Sequence, residues 1–391
     1  MPIVESSLDD LAGQVIQAGR LTFTESNLEA VAQADYVFLC LPTPEGGDGR
    51  ADLSFVLKVA EQIGPHLKPD AIVVNKSTVP VGTAFLVAQE LNRNDVHVVS
   101  NPEFLAEGTA VHDFLNPDRV VVGSDSQVAA VKVAGLYERL SGKVIVTDAA
   151  SSEMIKYASN AFLATKLSFV NSLAAVCEAA GADVRRVTAG MGADRRIGSE
   201  FLKPGPGWGG SCFPKDSKAL AATAEDLGSR FELLESVIAI NAEHKARMIA
   251  NARNLLGGRV AGAAVAVWGL TFKAGTDDLR DSPAREIAGA LAAEGARVTA
   301  YDPTVRADLP GIRAATSAVQ ACEGADLLIL ATEWPEFAAV DLNEVGAVMA
   351  RRLLLDTRNV VSPFAADQAG FAYAGIGIAT GKRRAAESVA S

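Results

Sequence analysis

From Ser151 to Ala180 the chain carries no glycine and no proline, and Gly181 ends the run. A stretch of that kind predicts one continuous helix, with Ser151 or Ser152 placed to cap its start. At about 30 residues it far exceeds the usual helix of roughly 11–12. Helices of such length join two domains or form a dimer seam. On both sides of it the chain alternates short apolar runs with amphipathic segments. Before it lie Tyr36–Leu41, Ala71–Asn75, Val96–Ser100 and Arg119–Gly123, with helical stretches over Leu53–Ile63 and Thr83–Leu91. After it lie Ala263–Trp268, Arg297–Tyr301, Leu327–Ala331 and Leu353–Asp356, with helical stretches over Glu286–Glu294 and Ala315–Glu323. Short β-rich runs of this sort suit strands buried on both faces of a parallel sheet. Their alternation with helices is the sequence signature of βαβ units. The expected fold is α/β, with two Rossmann-like doubly wound domains joined by the long helix and a region of shorter helices. The expected bounds are 1–145, 146–255 and 256–375, with a flexible polar tail over 376–391.

The 391 residues are too many for one ordinary domain. A net charge of -11 repels phosphate backbones and argues against nucleic acid as a partner. An anionic ligand must then be held by a few local cations and backbone N–H groups. Cys40, Cys177, Cys212 and Cys322 are far apart and form no CxxC pair. Neither a disulfide framework nor a zinc site is expected, and a reducing cytoplasm fits. His66, His97, His112 and His244 match no ligand spacing, so no metal is expected. MPIVESSLDD has neither the basic nor the apolar part of a signal peptide. Val260–Leu270, read as the most apolar stretch, is too short to cross a bilayer.

The segment that most sharply suggests chemistry is Phe201–Asp216, FLKPGPGWGGSCFPKD. Four glycines precede Ser211 and Cys212, and Pro214 opens a helical stretch. A cysteine there meets exposed backbone donors at a helix start, and the helix dipole and Lys215 favour its thiolate. The glycines let backbone approach a ligand closely. Taken alone, a small buried cysteine in a glycine-rich loop is the commoner outcome. On the long helix, Lys156 and Asn160 are four apart and share a face. Such a pair can stabilise an oxyanion, although a solvated polar face is the commoner meaning of that spacing.

These segments resemble the UDP-glucose/GDP-mannose dehydrogenase family along essentially the whole chain. GGSCFPKD and the KxxxN pair followed by AFLA carry the resemblance, and GGSCFPKD is closer to the family's UDP-glucose branch than to its GDP-mannose branch. The resemblance implies a two-step, NAD-dependent oxidation of the sugar C6 alcohol of UDP-glucose to a carboxylate. In it, Cys212 captures the aldehyde as a thiohemiacetal and passes through a thioester, which avoids releasing a reactive aldehyde. It further implies catalytic roles for Lys156, Asn160, Asp216, Thr78 and Glu103. NAD contacts fall on Thr43, Ser77, Thr78, Glu107, Lys215 and Arg280. Substrate contacts fall on Glu103, Phe104, Leu105, Lys156, Asn160, Arg196, Phe201, Gly209, Phe272, Lys273 and Arg358. Arg196 implies a homodimer, because its family equivalent reaches the neighbouring subunit's substrate. No strand–GxGxxG–helix turn opens the first α/β segment, and the resemblance implies that about 50 residues of the family's N-terminal text are absent. Two other readings stay open: a dehydrogenase for another nucleotide sugar, and an impaired nucleotide-sugar-binding homologue.

Overall fold

The structure, a computed structural model, describes residues 4–379. It divides into two compact units, Met1–Ala161 with Lys215–Phe231, and Phe162–Pro214 with Glu232–Ser391. Residues 146–255 are thus shared between the two units.

In the first unit, α1 (Leu8–Gln17) and α2 (Asn27–Val31) precede β1 (Tyr36–Leu39). There follow α3 (Ser54–Ile63), β2 (Ile72–Asn75), α4 (Thr83–Leu91), β3 (His97–Ser100), α5 (Ala110–Leu115), β4 (Arg119–Gly123), α6 (Gln127–Gly135) and β5 (Lys143–Thr147). The sheet order is β1-β2-β3-β4-β5, parallel except where β3 meets β4 at Ser100 and Gly123. Alternation along β2 feeds both faces. Val73 packs with Val56, Ala60 and Ile63 of α3 and Val87 of α4, whereas Ile72 and Val74 pack with Ala129, Ala130 and Val133 of α6. Consecutive strands are neighbours throughout, so this sheet contains no change of winding direction. Helix α7 (Ala149–Ala180) contributes its residues up to Ala161 to this unit.

The rest of α7 belongs to the second unit, with α8 (Val184–Gly192) and the first two residues of α9 (Phe213–Asp226). Then come α10 (Glu232–Leu255), β6 (Ala264–Trp268), α11 (Pro283–Ala293), β7 (Arg297–Tyr301), β8 (Ile312–Ala314), α12 (Ala318–Ala321), β9 (Leu327–Leu330), α13 (Pro335–Ala338), α14 (Leu342–Val348), β10 (Leu353–Asp356), α15 (Pro363–Gln368) and β11 (Ala372–Gly375). The six strands are all parallel, in the order β11-β10-β9-β6-β7-β8. The chain winds outward from β6 to β8, then returns to start again at β9. That is the doubly wound dinucleotide-fold order, with its switch point between β6 and β9. Gly269 follows β6 at φ +88°, and a Cβ there would lie 2.3 Å from the Thr332 Cβ. Only glycine lets the two switch-point loops approach so closely.

The strand and helix expectations hold with small shifts, and several elements depart from them. The edge strands β5, β8 and β11 were not expected. The expected shorter helices are α8, α9 and α10, the last running 24 residues through a sequence that also lacks glycine and proline. Ala315–Glu323 shortens to Ala318–Ala321, because Ser317 caps there, accepting from the Gln320 N–H. The start of the expected flexible tail is held in place: Ile376 is buried, its carbonyl accepts from Asn359 Nδ2, and Ile378 bridges to Asp183. Residues 380–391 lie outside the described residues. Helix α7, and not Val260–Leu270, is the segment long and apolar enough to cross a membrane. Its Ser152, Glu153, Lys156, Asn160, Ser168 and Asn171 are nonetheless buried in the protein, as on an interior helix.

Candidate active site

In the first unit, the loops at the carboxyl ends of β1, β2 and β3 bring predicted residues together in two groups. In one, the Thr43 hydroxyl donates to the Thr78 carbonyl at 2.9 Å. The Ser77 hydroxyl donates to the Leu41 carbonyl at 2.7 Å and accepts the Leu41 N–H at 2.8 Å. Thr43, Ser77 and Thr78 are thereby fixed as one polar edge. In the other, Lys156 is 4% exposed and donates to Glu103 Oε1 at 3.1 Å. Glu103 Oε2 accepts the Leu105 N–H at 2.6 Å. The Phe104 ring lies 5.3 Å from Lys156 Nζ, with the Arg119 guanidinium 3.7 Å from the ring centre. A buried ammonium persists only when paired in this way. Glu107 sits in the same loop, two residues after Leu105.

A third group joins α7 to α9. Asp216 is fully buried, takes Asn160 Nδ2 on one oxygen at 2.6 Å, and takes Lys215 Nζ on the other at 2.6 Å. Lys215, expected beside the cysteine and the cofactor, is thus tied to Asp216. Cys212 is half-buried and lies directly before α9, with its Sγ 3.5 Å from the Ser211 hydroxyl. Asp216 follows it in the chain by one helical turn.

In the second unit, the loop leading to Cys212 is clamped by two helices. Asn171 of α7 accepts the Gly205 N–H at 2.9 Å. From α10, His244 Nε2 donates to the Gly205 carbonyl at 2.8 Å. Asn241 bonds both the N–H and the carbonyl of Trp208, each at 2.9 Å. Trp208 Nε1 donates to the Ser168 hydroxyl at 2.9 Å. Burial pushes the His244 pKa down to about 4, so the ring is neutral. A Cβ at Gly209 would stand 1.9 Å from the Asp281 carbonyl oxygen, so this position needs glycine. Gly205, Gly207 and Gly210 have GxGxxG spacing, yet no strand precedes them and the loop is not a dinucleotide turn. Phe201, at φ +60°, sets its ring 6.2 Å from Phe213.

At the switch point, Arg358 donates to the carbonyls of Phe272 at 2.8 Å and Ala331 at 3.1 Å, and pairs with Glu333 at 2.9 Å. Lys273 Nζ lies 5.7 Å from the Phe272 ring centre. Phe272, Lys273 and Arg358 therefore gather at the crevice where open α/β sheets take ligands. Arg196 and Arg280 each pair with a carboxylate two residues away, Asp194 at 2.6 Å and Asp278 at 2.8 Å.

Sequence reasoning missed Glu153 and Lys76. Glu153 is buried and accepts the N–H groups of Gly82 and Ala84, at 2.7 and 2.8 Å, at the start of α4. Burial raises its pKa to about 7. Lys76 donates to Asn101 Oδ1 at 3.1 Å and to the Tyr137 hydroxyl at 3.3 Å, and burial lowers its pKa to about 8. One signal was available: Glu153, Lys156 and Asn160 follow i, i+3, i+7 spacing on one helix face.

A doubly wound sheet with cations at its switch point, and a second parallel sheet edged by polar loops, define a two-domain nucleotide-binding α/β protein. Residues 1–141 match the NAD binding domain of the UDP-glucose/GDP-mannose dehydrogenase family, residues 150–243 its central domain, and residues 266–363 its UDP binding domain. The chain is 44% identical to the UDP-glucose 6-dehydrogenase of Pseudomonas aeruginosa, over 96% of this chain and 88% of that one. It is 44% identical to the enzyme of that name from Rhizobium meliloti, over 96% and 90%. The solved UDP-glucose dehydrogenase of Pyrobaculum islandicum matches with a TM-score of 0.88 at 35% identity, covering 97% of this chain and 88% of that one. The chain belongs to the UDP-glucose/GDP-mannose dehydrogenase family, a family of NAD-dependent dehydrogenases.

Proposed function

We propose that this protein oxidises the C6 hydroxyl of UDP-glucose to a carboxylate in two NAD-dependent steps. The observation that carries the reading is the buried Asn160–Asp216–Lys215 set one helical turn after Cys212 in the chain. It puts a fixed carboxylate next in line to a thiol at a helix start.

The strand-end residues suit NAD. Thr43, Ser77 and Thr78 are locked together, and the adjoining Asn75, last in β2, is buried with both amide atoms unpaired by the protein. These residues would hold the part of the cofactor lying over the strand ends. Two NAD molecules, bound in turn, would each accept one hydride. Phe272, Lys273 and Arg358 would hold the uridine diphosphate, with Arg358 pre-oriented by its carbonyl partners.

Lys156 supports negative charge developing on the C6 oxygen, and Glu103 keeps its ammonium in place. Cys212 Sγ adds to the aldehyde carbon to form a thiohemiacetal, whose oxidation leaves a thioester. Water then bonds to C6 and the C6–Sγ bond breaks. Cys212 leaves as thiolate, and the two water protons pass to Asp216 and to solvent. Thr78 and Asn160 orient the groups around this water. A Cys212→Ser variant should stop at a covalent or aldehyde-level species by mass spectrometry; full conversion to the acid by that variant sinks the thioester route. Rates with UDP-glucose, GDP-mannose and a UDP-N-acetylhexosamine decide the sugar.

We also read the protein as a homodimer. Phe162, Phe169 and Val176 are exposed at seven-residue intervals along α7, an apolar stripe suited to a second copy, and the Arg196 side chain is 80% exposed. Sedimentation at micromolar concentration tests this. The location is read as the cytoplasm, where a reactive thiol stays reduced.

A further inference from the structure

The buried face of α7 carries one group that the chemistry above does not use. Tyr157 is 1% exposed, and its hydroxyl has no hydrogen-bond partner among the described protein atoms. A buried hydroxyl left unpaired is unfavourable, and most such groups in folded proteins are satisfied by protein or by ordered water. Tyr157 lies three residues before Asn160 on the same helix, and Asn160 is bonded to Asp216. The Tyr157 hydroxyl feels the negative charges of Asp216 and Glu153, and burial holds it protonated, as a donor. A second buried hydroxyl without a partner, that of Ser217, belongs to the residue following Asp216. Asp216 has one bond on each oxygen, which leaves acceptor capacity on both.

We propose that Tyr157 is a positioning residue, holding through an internal water the carboxylate of Asp216. The water accepts from the Tyr157 hydroxyl and donates to Asp216 and to the Ser217 hydroxyl. Three partners are what a buried water ordinarily has. All three come from the first unit. The arrangement accounts for two buried hydroxyls, one three residues before Asn160 and one next to Asp216 in the chain, that have no protein partner among the described residues. It also gives Asp216 a third fixed contact, besides Asn160 and Lys215. Asp216 then has little freedom to swing away from the attacking water.

This inference rests on the reading of Asp216 as the group that serves thioester hydrolysis, and its test separates the two. The first arm is a crystal structure of the full chain and of Tyr157→Phe, at a resolution that shows ordered water. A water within hydrogen-bond distance of both the Tyr157 oxygen and Asp216 in the wild type, lost in the variant, is the expected result. Its absence from the wild type overturns the proposal, whatever the enzyme's chemistry. The second arm is single-turnover and steady-state NADH formation with UDP-glucose. Tyr157→Phe keeps the ring and its packing, so a structural effect would slow every step alike. The expected result is an unchanged first hydride transfer, a steady-state rate lower by about tenfold, and accumulation of the Cys212 adduct by mass spectrometry. Ser217→Ala should shift the same step less. A Tyr157→Phe enzyme with wild-type steady-state rate and no adduct build-up overturns the proposal. If the wild type itself never forms a Cys212 adduct, the hydrolysis reading fails and the crystallographic arm still decides the water.

Discussion

The two sheets solve the same problem in different ways. The six-stranded sheet reverses its winding between β6 and β9, so topology alone opens a crevice at the strand ends. Its loops need only supply contacts, and Phe272, Lys273 and Arg358 stand at that crevice. The five-stranded sheet runs in sequence order with no such reversal. Its chemistry-bearing residues are placed by burial and pairing on α7 instead. Lys156, Asn160 and Asp216 are all at most 6% exposed, each with a named partner. The lesson concerns precision. A crevice made by backbone tolerates loose side chains, whereas charges buried on a helix must be fully paired to be there at all.

The comparison predicts that damage to the paired charges on α7 and α9 costs catalysis and damage to the switch-point crevice costs binding. The largest effect is expected for Lys156→Met. It removes charge from the reacting oxygen and leaves Glu103 unpaired, and kcat should fall roughly 10²–10³-fold, read from steady-state NADH formation. A loss confined to KM would break the comparison.

The units should also respond to pH with opposite signs. Glu153 in the first unit has its pKa raised from 4.5 to about 7, so the folded state binds the extra proton in that window. Its contribution is whole below pH 4.5 and is lost as pH rises through 7. His244 in the second unit has its pKa lowered from 6.5 to about 4. Its contribution is whole above pH 6.5 and is lost as pH falls toward 4. Each slope amounts to about 3 kcal/mol across its window. Urea titrations at pH 4.5, 5.5 and 7 of Glu153→Gln and of His244→Gln should separate them. Glu153→Gln leaves a protein that only gains stability as pH rises. An unchanged pH profile in both variants removes the assignment.

The smallest effect is expected for Arg358→Gln. It leaves the crevice standing and removes one cation, so KM for UDP-glucose should rise about tenfold with kcat nearly unchanged.

How much of this was legible in the sequence follows the same division. Strands buried on both faces announced themselves as runs such as RVVVG and LLIL, because every residue in them must be apolar. The missed strands lie at sheet edges. β5 has an exposed, mixed pattern, β8 is three residues long, and β11 reads AYAG. The placements fixed by local spacing were legible: Cys212 before its helix, Lys156 four from Asn160, and Asp216 one turn on. Their supports were not. Asn171, Asn241 and His244 are three among many polar residues on their helices, and nothing local says that a loop 33 or more residues away needs their hydrogen bonds. Glu153 reads as an ordinary acid near a helix start until α4 is folded against it. Arg196 and Arg280 each bond a carboxylate two positions earlier, a local pairing that the sequence also did not announce.

The tryptophans fall unevenly. Trp208, Trp268 and Trp334 all belong to the second unit: Trp208 in the clamped loop, Trp268 stacked on Phe337, and Trp334 donating to Asp302. Intrinsic indole emission is therefore a report from one half of the molecule. An unfolding curve followed at those wavelengths sees the sugar-nucleotide half and is blind to the half that carries Lys156, while circular dichroism sees both. Any gap between the two curves measures how far the halves melt independently, without a single label being added.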